Sequence, residues 1–149
     1  MCGIVGFTGH QSAKDVLIEG LKRLEYRGYD SAGIALQNTT NEELTVVHRV
    51  GKVAGLAEAV EYLNNASPCG IGHTRWATHG APSERNAHPH TSCDNQIAVV
   101  HNGIIENFAE LREQLEARGH KFRSDTDTEV VSHLIEEAYR GNLRDAVAK

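Results

Sequence analysis

The sequence predicts an α/β fold in which helices cover both faces of a largely parallel sheet. The strands are apolar on both faces, and several segments between them have helical periodicity. The run Gly3-Ile4-Val5-Gly6-Phe7 is the clearest example, because no polar residue interrupts it. With 149 residues, of which 40% are hydrophobic and 23% charged, the chain is large enough to bury a core as one domain.

The first half of the chain alternates strands and helices. Ser12 and Asp15 are spaced like a capping box, so a helix follows the first strand. A β-branched strand after a short turn predicts a hairpin. After the first strand, the predicted elements are a helix at 12–24, a loop at 25–31, strands at 32–36 and 44–50 around a turn at 38–41, a short helix at 53–63 and a buried strand at 70–74.

The second half begins with a long irregular segment, 75–95, which is rich in histidine, proline and glycine. Long irregular segments are often functional. Thr126 and Glu129 have capping-box spacing, and Asn142 is placed like the cap of a further helix. The predicted elements are a strand at 97–100, helices at 107–118 and 129–140 that end at Gly119 and Gly141, and the start of another helix, whose pattern suggests a fragment.

Composition argues against several classes of partner. A formal charge of -5, a pI near 6.0 and no run of basic residues argue against nucleic-acid binding. No stretch has the length of a membrane span or the pattern of a signal peptide, so no membrane partner is expected. Three cysteines without a CxxC pair fit a reducing compartment, and we expect the protein to be cytoplasmic.

Cys2 is the first candidate catalytic residue because it directly follows the initiator methionine. Removal of Met1 would leave a thiol and a free α-amine on the same residue. The amine has a reference pKa of about 7.7–8.0, so it can accept the thiol proton near neutral pH. N-terminal nucleophile enzymes work in this way, although a cysteine at the start of a strand can equally be a small core residue.

Four further residues can complete a site for amide cleavage. Asn102 and Gly103 follow a buried strand and can donate a side-chain amide and a backbone N–H to an oxyanion, although Asn-Gly is also a common type I′ turn. Arg75 and Asp127 can bind the carboxylate and ammonium of a small zwitterion. Either can also be an ordinary surface charge, and Asp127 can favour a helix dipole.

Taken together, five blocks of sequence resemble one family. They closely resemble the glutaminase domains of the glucosamine-6-phosphate synthases, which are class II glutamine amidotransferases. The blocks are Met1-Cys2-Gly3-Ile4-Val5-Gly6, Arg23-Leu24-Glu25-Tyr26-Arg27-Gly28-Tyr29-Asp30-Ser31-Ala32-Gly33, His73-Thr74-Arg75-Trp76-Ala77-Thr78-His79-Gly80, Asn86-Ala87-His88-Pro89-His90 and His101-Asn102-Gly103-Ile104-Ile105-Glu106-Asn107.

The resemblance implies an α+β N-terminal-nucleophile hydrolase, a four-layer αββα sandwich of mainly antiparallel sheets, and this replaces the parallel-sheet expectation. It implies no cofactor and no metal. Cys2 is then the nucleophile, Asn102 and Gly103 the oxyanion pair, and Arg75 and Asp127 the ligands of glutamine. The resemblance also implies that the backbone of Arg27 and Gly28 binds the Cys2 amine and that Thr78 and His79 line the pocket. It implies that Trp76 lies in a loop that closes over glutamine and gates the passage of ammonia, although this tryptophan can otherwise be a core or lid anchor.

The implied substrate is L-glutamine, which is hydrolysed to glutamate and ammonia through a cysteine thioester. In this family the ammonia aminates fructose 6-phosphate in a second domain, so we expect residues 1–149 to be the N-terminal part of a truncated amidotransferase domain without its isomerase domains. A homo-oligomer is expected for the full-length protein.

Three alternatives remain open. Another class II enzyme, such as amidophosphoribosyltransferase, shares the Cys-Gly-Ile start. An inactive fragment is a second alternative. A metal-binding module is a third, because His79, His88, His90 and His101 cluster near Cys93 in the sequence.

Overall fold

The computed structural model describes residues 1–39, 43–63 and 67–149. The turn predicted at 38–41 falls partly outside these ranges. The strands are β1 (Gly3–Thr8), β2 (Ser31–Gln37), β3 (Leu44–Val50), β4 (Cys69–Arg75), β5 (His90–Thr91) and β6 (Ala98–Val99). The helices are α1 (Ala13–Leu24), α2 (Val53–Ala59), α3 (Phe108–Ala117), α4 (Glu129–Ala138) and α5 (Leu143–Val147), with one 3₁₀ turn at Glu25–Arg27.

Four strands form an antiparallel sheet in the order β1-β4-β2-β3, and β5 pairs with β6 in a second antiparallel sheet. The hairpin of β2 and β3 is therefore confirmed, whereas the parallel arrangement predicted from apolar pattern is wrong. Strands that are buried on both faces have the same continuous apolar pattern whether their neighbours run parallel or antiparallel.

One face of the larger sheet packs against α1 and α2. Leu17 and Leu21 of α1 are fully buried, and they lie against Gly70 and Gly72 of the central strand β4. The predicted cap of α1 is confirmed, because the Ser12 side chain accepts a hydrogen bond from the Asp15 N–H. This face contains the main apolar core.

The opposite face is covered by the irregular segment that follows β4. A Cβ on Gly33 of β2 would lie only 2.2 Å from the backbone oxygen of His88, so the two backbones approach each other as closely as a glycine allows. The smaller sheet lies in the same layer and packs in turn against α4. Both faces of the larger sheet are thus covered, as its apolar strands predict.

The C-terminal helices agree with their predicted positions, and Gly119 and Gly141 follow α3 and α4 with φ of 97° and 90°. Asn142 caps α5 as predicted, since its side chain accepts from the Asp145 N–H. The capping box at Thr126 is wrong. Thr128 is the cap residue of α4, and the Thr126 hydroxyl instead pairs with His90 Nε2 at 2.8 Å.

The layers therefore run from helices to the larger sheet, to the smaller sheet with its loops, and to α3 and α4. This is an α+β architecture of helix, sheet, sheet and helix, as the resemblance implies. Among the described residues, no helix is long and apolar enough to cross a membrane.

Candidate active site

A cavity of about 220 Å³ opens at the end of the larger sheet where β1 begins and β4 ends. Seven of the residues predicted for the site share its wall. These are Cys2, Arg75, Trp76, Thr78, Asn102, Gly103 and Asp127, and they are joined by His73, His88, His101, Ile104 and Thr128. The structure thus gathers residues that are up to 126 positions apart in the chain.

The antiparallel register explains why Cys2 lies near Arg75. Gly3 pairs with Thr74, so the next pair outward is Cys2 beside Arg75, and side chains alternate between the two faces of the sheet. Cys2 and Arg75 share the face away from α1. The Trp76 backbone N–H donates to Cys2 Sγ at 3.2 Å.

The carbonyl oxygens of Arg27 and Gly28 bind an N-terminal ammonium, but it is that of Met1. Both N···O distances are 2.8 Å. We predicted that these carbonyls hold the Cys2 amine, and with Met1 present they hold the amine one residue earlier. Gly28 follows the 3₁₀ turn with φ of 75°, a backbone conformation that residues with a side chain rarely adopt. This conformation sets the direction of its carbonyl group.

Arg75 is a buried cation with an unused donor group. It is 3% exposed, and its Nη2 donates to the carbonyls of His79 and, at 3.2 Å, of Gly80. Its Nη1 is buried without a hydrogen-bond partner. Burial lowers the pKa of Arg75, yet a guanidinium keeps its charge at neutral pH. The free side of this group is suited to an anionic ligand such as a carboxylate.

Asp127 supplies the opposite charge across the cavity. It is 3% exposed, and its Oδ2 accepts a hydrogen bond of 2.7 Å from the Ile105 N–H. The nearest cationic candidate is His79, whose Nδ1 lies 4.0 Å from Oδ2, beyond hydrogen-bond distance. Asp127 therefore has room to bind a ligand ammonium.

His79 does not line the cavity as predicted. Its ring packs edge-on against Phe108 with centroids 5.2 Å apart, and its carbonyl accepts from Arg75. The backbone of the loop after β4 thus places its oxygens on the guanidinium, while the His79 ring packs on Phe108. His79 is a wall behind Asp127 and Arg75.

Asn102 and Gly103 lie in the connection from β6 to α3 and face Cys2 across the cavity. A type I′ turn is excluded here, because Gly103 does not have the positive φ that this turn requires. A Cβ on Gly103 would also lie 2.8 Å from the His101 ring. The glycine lets its backbone approach the cavity beside that imidazole.

Trp76 is 56% exposed, so it is not a core anchor. Its ring lies close to Gly28, since a Cβ at that glycine would be 3.8 Å from the Cζ3 atom of the indole. Its backbone N–H touches Cys2. The side chain of Trp76 is placed at the rim of the cavity, between solvent and the nucleophile candidate.

His73 and His88 form the floor of the cavity, a position that was not predicted from the sequence. Their rings stack with centroids 4.6 Å apart and an interplanar angle of 20°. Burial lowers the pKa of His73 to about 3, and it also lowers the pKa of His88, so both rings are neutral at pH 7. Alternation along β4 places His73 and Arg75 on one face, and this signal could have identified His73.

The histidines of the metal-binding alternative do not surround Cys93. His88 lines the cavity, His90 packs against it with rings 4.4 Å apart, and the His101 Nδ1 pairs with the Thr128 hydroxyl at 3.2 Å. Cys93 instead contacts His120 and His133, at 3.7 and 3.6 Å from Sγ to Nδ1.

Residues 55–146 match the family described as glutamine amidotransferase domain. The chain belongs to this glutamine amidotransferase family. The match runs from within α2 to within α5 and therefore includes most of the cavity wall.

Two curated relatives that match almost the whole of this chain have the same name. Glutamine–fructose-6-phosphate aminotransferase [isomerizing] of Thermus thermophilus is 63% identical over 147 residues, which are 99% of this chain and 24% of the relative. The protein of the same name from Pyrococcus horikoshii is 57% identical over 148 residues, 98% of this chain and 24% of the relative. The chain thus spans about a quarter of the length of these curated relatives.

Solved structures agree with the fold. The structure of the allosteric regulatory enzyme of purine biosynthesis has a TM-score of 0.79 at 30% identity, over 99% of this chain and 32% of that one. Glutamine phosphoribosylpyrophosphate amidotransferase from B. subtilis, complexed with ADP and GMP, has a TM-score of 0.76 at 30% identity, over 99% and 31% of the two chains. The chain shares the N-terminal-nucleophile fold of these amidotransferases.

Proposed function

We propose that this chain hydrolyses L-glutamine to glutamate and ammonia, with Cys2 as the nucleophile. The observation that carries the proposal is the cavity that brings together the Cys2 thiol, a buried cation with an unused donor, Arg75, and a buried anion, Asp127. Glutamine needs this combination, because it has a carboxylate and an ammonium at one end and an amide at the other.

Glutamine fits the cavity in one direction. Its carboxylate binds Arg75 through the free Nη1, and its ammonium binds Asp127, as charge-assisted hydrogen bonds. The side-chain amide then points toward Cys2. Thr78 contributes to the wall, and Trp76 at the rim is placed to cover the bound substrate.

The reaction proceeds by acyl transfer to sulfur. Removal of Met1 frees the Cys2 amine, which moves into reach of the Arg27 and Gly28 carbonyls and accepts the thiol proton. Sulfur attacks the amide carbon, and the tetrahedral oxyanion is stabilised by the Asn102 amide and the Gly103 N–H. Ammonia leaves with the transferred proton, and water then cleaves the thioester to release glutamate and the free thiol.

The Trp76 N–H supports the thiolate that attacks and later leaves, because it already donates to Sγ. The neutral rings of His73 and His88 form a floor that adds no positive charge to compete with Arg75 for the substrate carboxylate. The site therefore uses one cation for recognition and the N-terminal amine for proton transfer.

We further propose that the ammonia aminates fructose 6-phosphate at a site in a longer protein, of which residues 1–149 are the N-terminal part. Support comes from the name of the relatives that are up to 63% identical and of which this chain spans about a quarter. A phosphoribosyl acceptor has less support, because the phosphoribosylpyrophosphate amidotransferase structure is 30% identical. We also propose that the longer protein is a homo-oligomer and that it is cytoplasmic.

The test is glutamate release from glutamine by the chain with Met1 removed, compared with Cys2→Ala. The variant should lose hydrolysis completely and keep its fold, because a small residue remains at the start of β1. Cys69→Ala is the matched control, since Cys69 is also half-buried but lies at the opposite end of β4 from the cavity.

Two measurements accompany the assay. Mass spectrometry of the N-terminus verifies the removal of Met1, and trapping with acid should yield a glutamyl adduct on the peptide that contains Cys2. Hydrolysis by Cys2→Ala at the rate of the Cys69 control contradicts the proposal. Hydrolysis at that same rate by protein that retains Met1 contradicts the role of the amine.

A further inference from the structure

A second cluster of reactive side chains lies outside the cavity, between the smaller sheet and α4. One ligand-type atom from each of four residues lies within 4.8 Å of all the others. We call this the Cys93 cluster, and it consists of Cys93, His120, His133 and Glu136. We propose that the Cys93 cluster binds one structural zinc ion.

The interatomic distances match tetrahedral coordination. Zinc–sulfur bonds of about 2.3 Å and zinc–nitrogen bonds of about 2.0–2.1 Å place sulfur and nitrogen about 3.6 Å apart at tetrahedral angles. The Cys93 Sγ lies 3.7 Å from His120 Nδ1 and 3.6 Å from His133 Nδ1. The same bond lengths place nitrogen and carboxylate oxygen about 3.3 Å apart. Glu136 Oε2 lies 3.1 and 3.2 Å from the two Nδ1 atoms.

The outer nitrogens of both imidazoles face carboxylates. His120 Nε2 lies 3.2 Å from Glu137 Oε1, and His133 Nε2 lies 3.7 Å from Glu129 Oε1. Histidines that bind a metal through one nitrogen commonly donate the other N–H to a carboxylate, which fixes the tautomer. When zinc is bound in this arrangement, each Nδ1 is unprotonated and its lone pair is available to the ion.

The sulfur of Cys93 also has a backbone hydrogen bond. The Lys121 N–H donates to Cys93 Sγ at 3.4 Å. The edge of Phe122 packs on the His133 ring with centroids 4.6 Å apart, and this apolar contact shields one side of the cluster. The His133 side chain is 1% exposed and that of His120 is 12% exposed. Four protein donors and little solvent access are typical of a structural site.

The charges also balance. Zinc binding displaces the Cys93 thiol proton to solvent, so a divalent ion is bound by one thiolate, one carboxylate and two neutral imidazoles. The sum is zero, which lowers the cost of burying the ion. A set of one sulfur, two nitrogens and one oxygen favours zinc over magnesium or calcium, which prefer oxygen ligands.

The zinc ion would join three segments of the chain. Cys93 follows β5, His120 follows α3, and His133 with Glu136 forms one face of α4. The start of α4 also holds Asp127 and Thr128 of the cavity. The ion therefore stabilises the half of the molecule that carries the ammonium-binding residue, without contacting substrate.

Zinc content tests the proposal on the full chain. After zinc loading and dialysis, the protein should retain one zinc per chain. Cys93→Ser and His120→Gln should each lower zinc affinity by more than about 100-fold, because losing a ligand costs at least as much as losing an outer carboxylate partner. Glu137→Gln should lower it by about 10–100-fold. The matched controls Cys69→Ser and His10→Gln, outside the cluster, should keep wild-type affinity.

A spectroscopic readout on the wild type covers the case in which a variant fails to fold. X-ray absorption at the zinc edge should show one sulfur at about 2.3 Å and three lighter atoms at about 2.0–2.2 Å. Chelation should lower the Tm of the wild type and leave that of folded Cys93→Ser unchanged. A zinc shell without sulfur, equal zinc binding by Cys93→Ser, or no retained zinc in the wild type would overturn the proposal. None of these readouts depends on glutamine hydrolysis.

Discussion

The two halves of the molecule are stabilised by different kinds of contact. Around the larger sheet, α1, α2 and the strands bury mainly aliphatic side chains, as Leu17, Ile34 and Leu56 illustrate. From residue 86 to residue 133 most buried side chains are instead polar and hydrogen-bonded, and they include Ser124 and Glu129. The cavity lies where these two halves meet.

The two halves therefore position different residues of the cavity. An apolar layer fixes the direction of β1 and β4, and thereby the positions of Cys2 and Arg75. A polar network fixes the backbone that leads to Asp127, because hydrogen bonds are directional and apolar contacts are not. Substitutions should therefore have different consequences in the two halves.

The largest expected effect comes from Glu129→Ala. The carboxylate is 2% exposed and accepts hydrogen bonds from the Arg123 N–H, the Ser124 N–H and the Ser124 hydroxyl, at 2.7, 2.7 and 2.5 Å. Its loss leaves buried donors unpaired and should cost about 3–5 kcal/mol in the free energy of unfolding. It should also weaken glutamine binding, because the freed loop leads to Asp127.

Leu21→Ala is the matched comparison in the apolar half. It removes a fully buried side chain on the face away from the cavity and should cost about 2–5 kcal/mol. Urea unfolding and calorimetric titration with glutamine measure both effects. Equal weakening of glutamine binding by Leu21→Ala and Glu129→Ala would contradict the expected difference between the two halves.

A decrease in pH should reduce the free energy of unfolding by an intermediate amount, because the stacked rings of His73 and His88 lie where the two halves meet. The pKa of His73 is lowered by burial to about 3, whereas the unfolded chain has the ordinary value of about 6.5. The unfolded state therefore binds the proton first, and stability is complete above about pH 6.5 and falls as the pH decreases toward 3. His73 alone should cost about 2 kcal/mol at pH 5.

The variant His73→Phe tests this assignment, since the phenyl ring has no basic nitrogen and cannot gain a proton. Its free energy of unfolding should fall by about 2 kcal/mol less than that of the wild type between pH 7 and pH 5. His10→Asn, at an exposed position, is the control and should follow the wild type. Equal losses in His73→Phe and the wild type would remove His73 from the explanation of acid sensitivity.

The smallest expected effect is local to the apolar half. Ser12→Ala removes the hydrogen bond from the Asp15 N–H to the cap of α1 and should cost about 1 kcal/mol. Because the sheet still fixes Cys2 and Arg75, glutamine turnover at 25 °C should not change. Thermal unfolding and the glutamate assay check the two statements, and a change in turnover would show that α1 is coupled to the cavity.

Most of the local structure could be predicted from sequence, because it depends on neighbours in the chain. The caps at Ser12 and Asn142 and the glycines after α3 and α4 are short-range signals, and the structure has them as predicted. The exception is Thr126. Its hydroxyl has capping-box spacing, but it binds a buried histidine 36 residues away instead. A rule based on neighbouring residues cannot predict a partner so distant in the chain.

The sequence by itself determined the family and the set of chemical groups that meet in the cavity, since the motifs with Cys2, Arg75 and Asn102 are contiguous blocks. Strand direction was decided only by the tertiary structure, because a strand buried on both faces has the same pattern in either pairing. The same holds for the Cys93 cluster. Its members come from three segments with no common spacing, and only the packing of α4 against the smaller sheet brings their ligand atoms together.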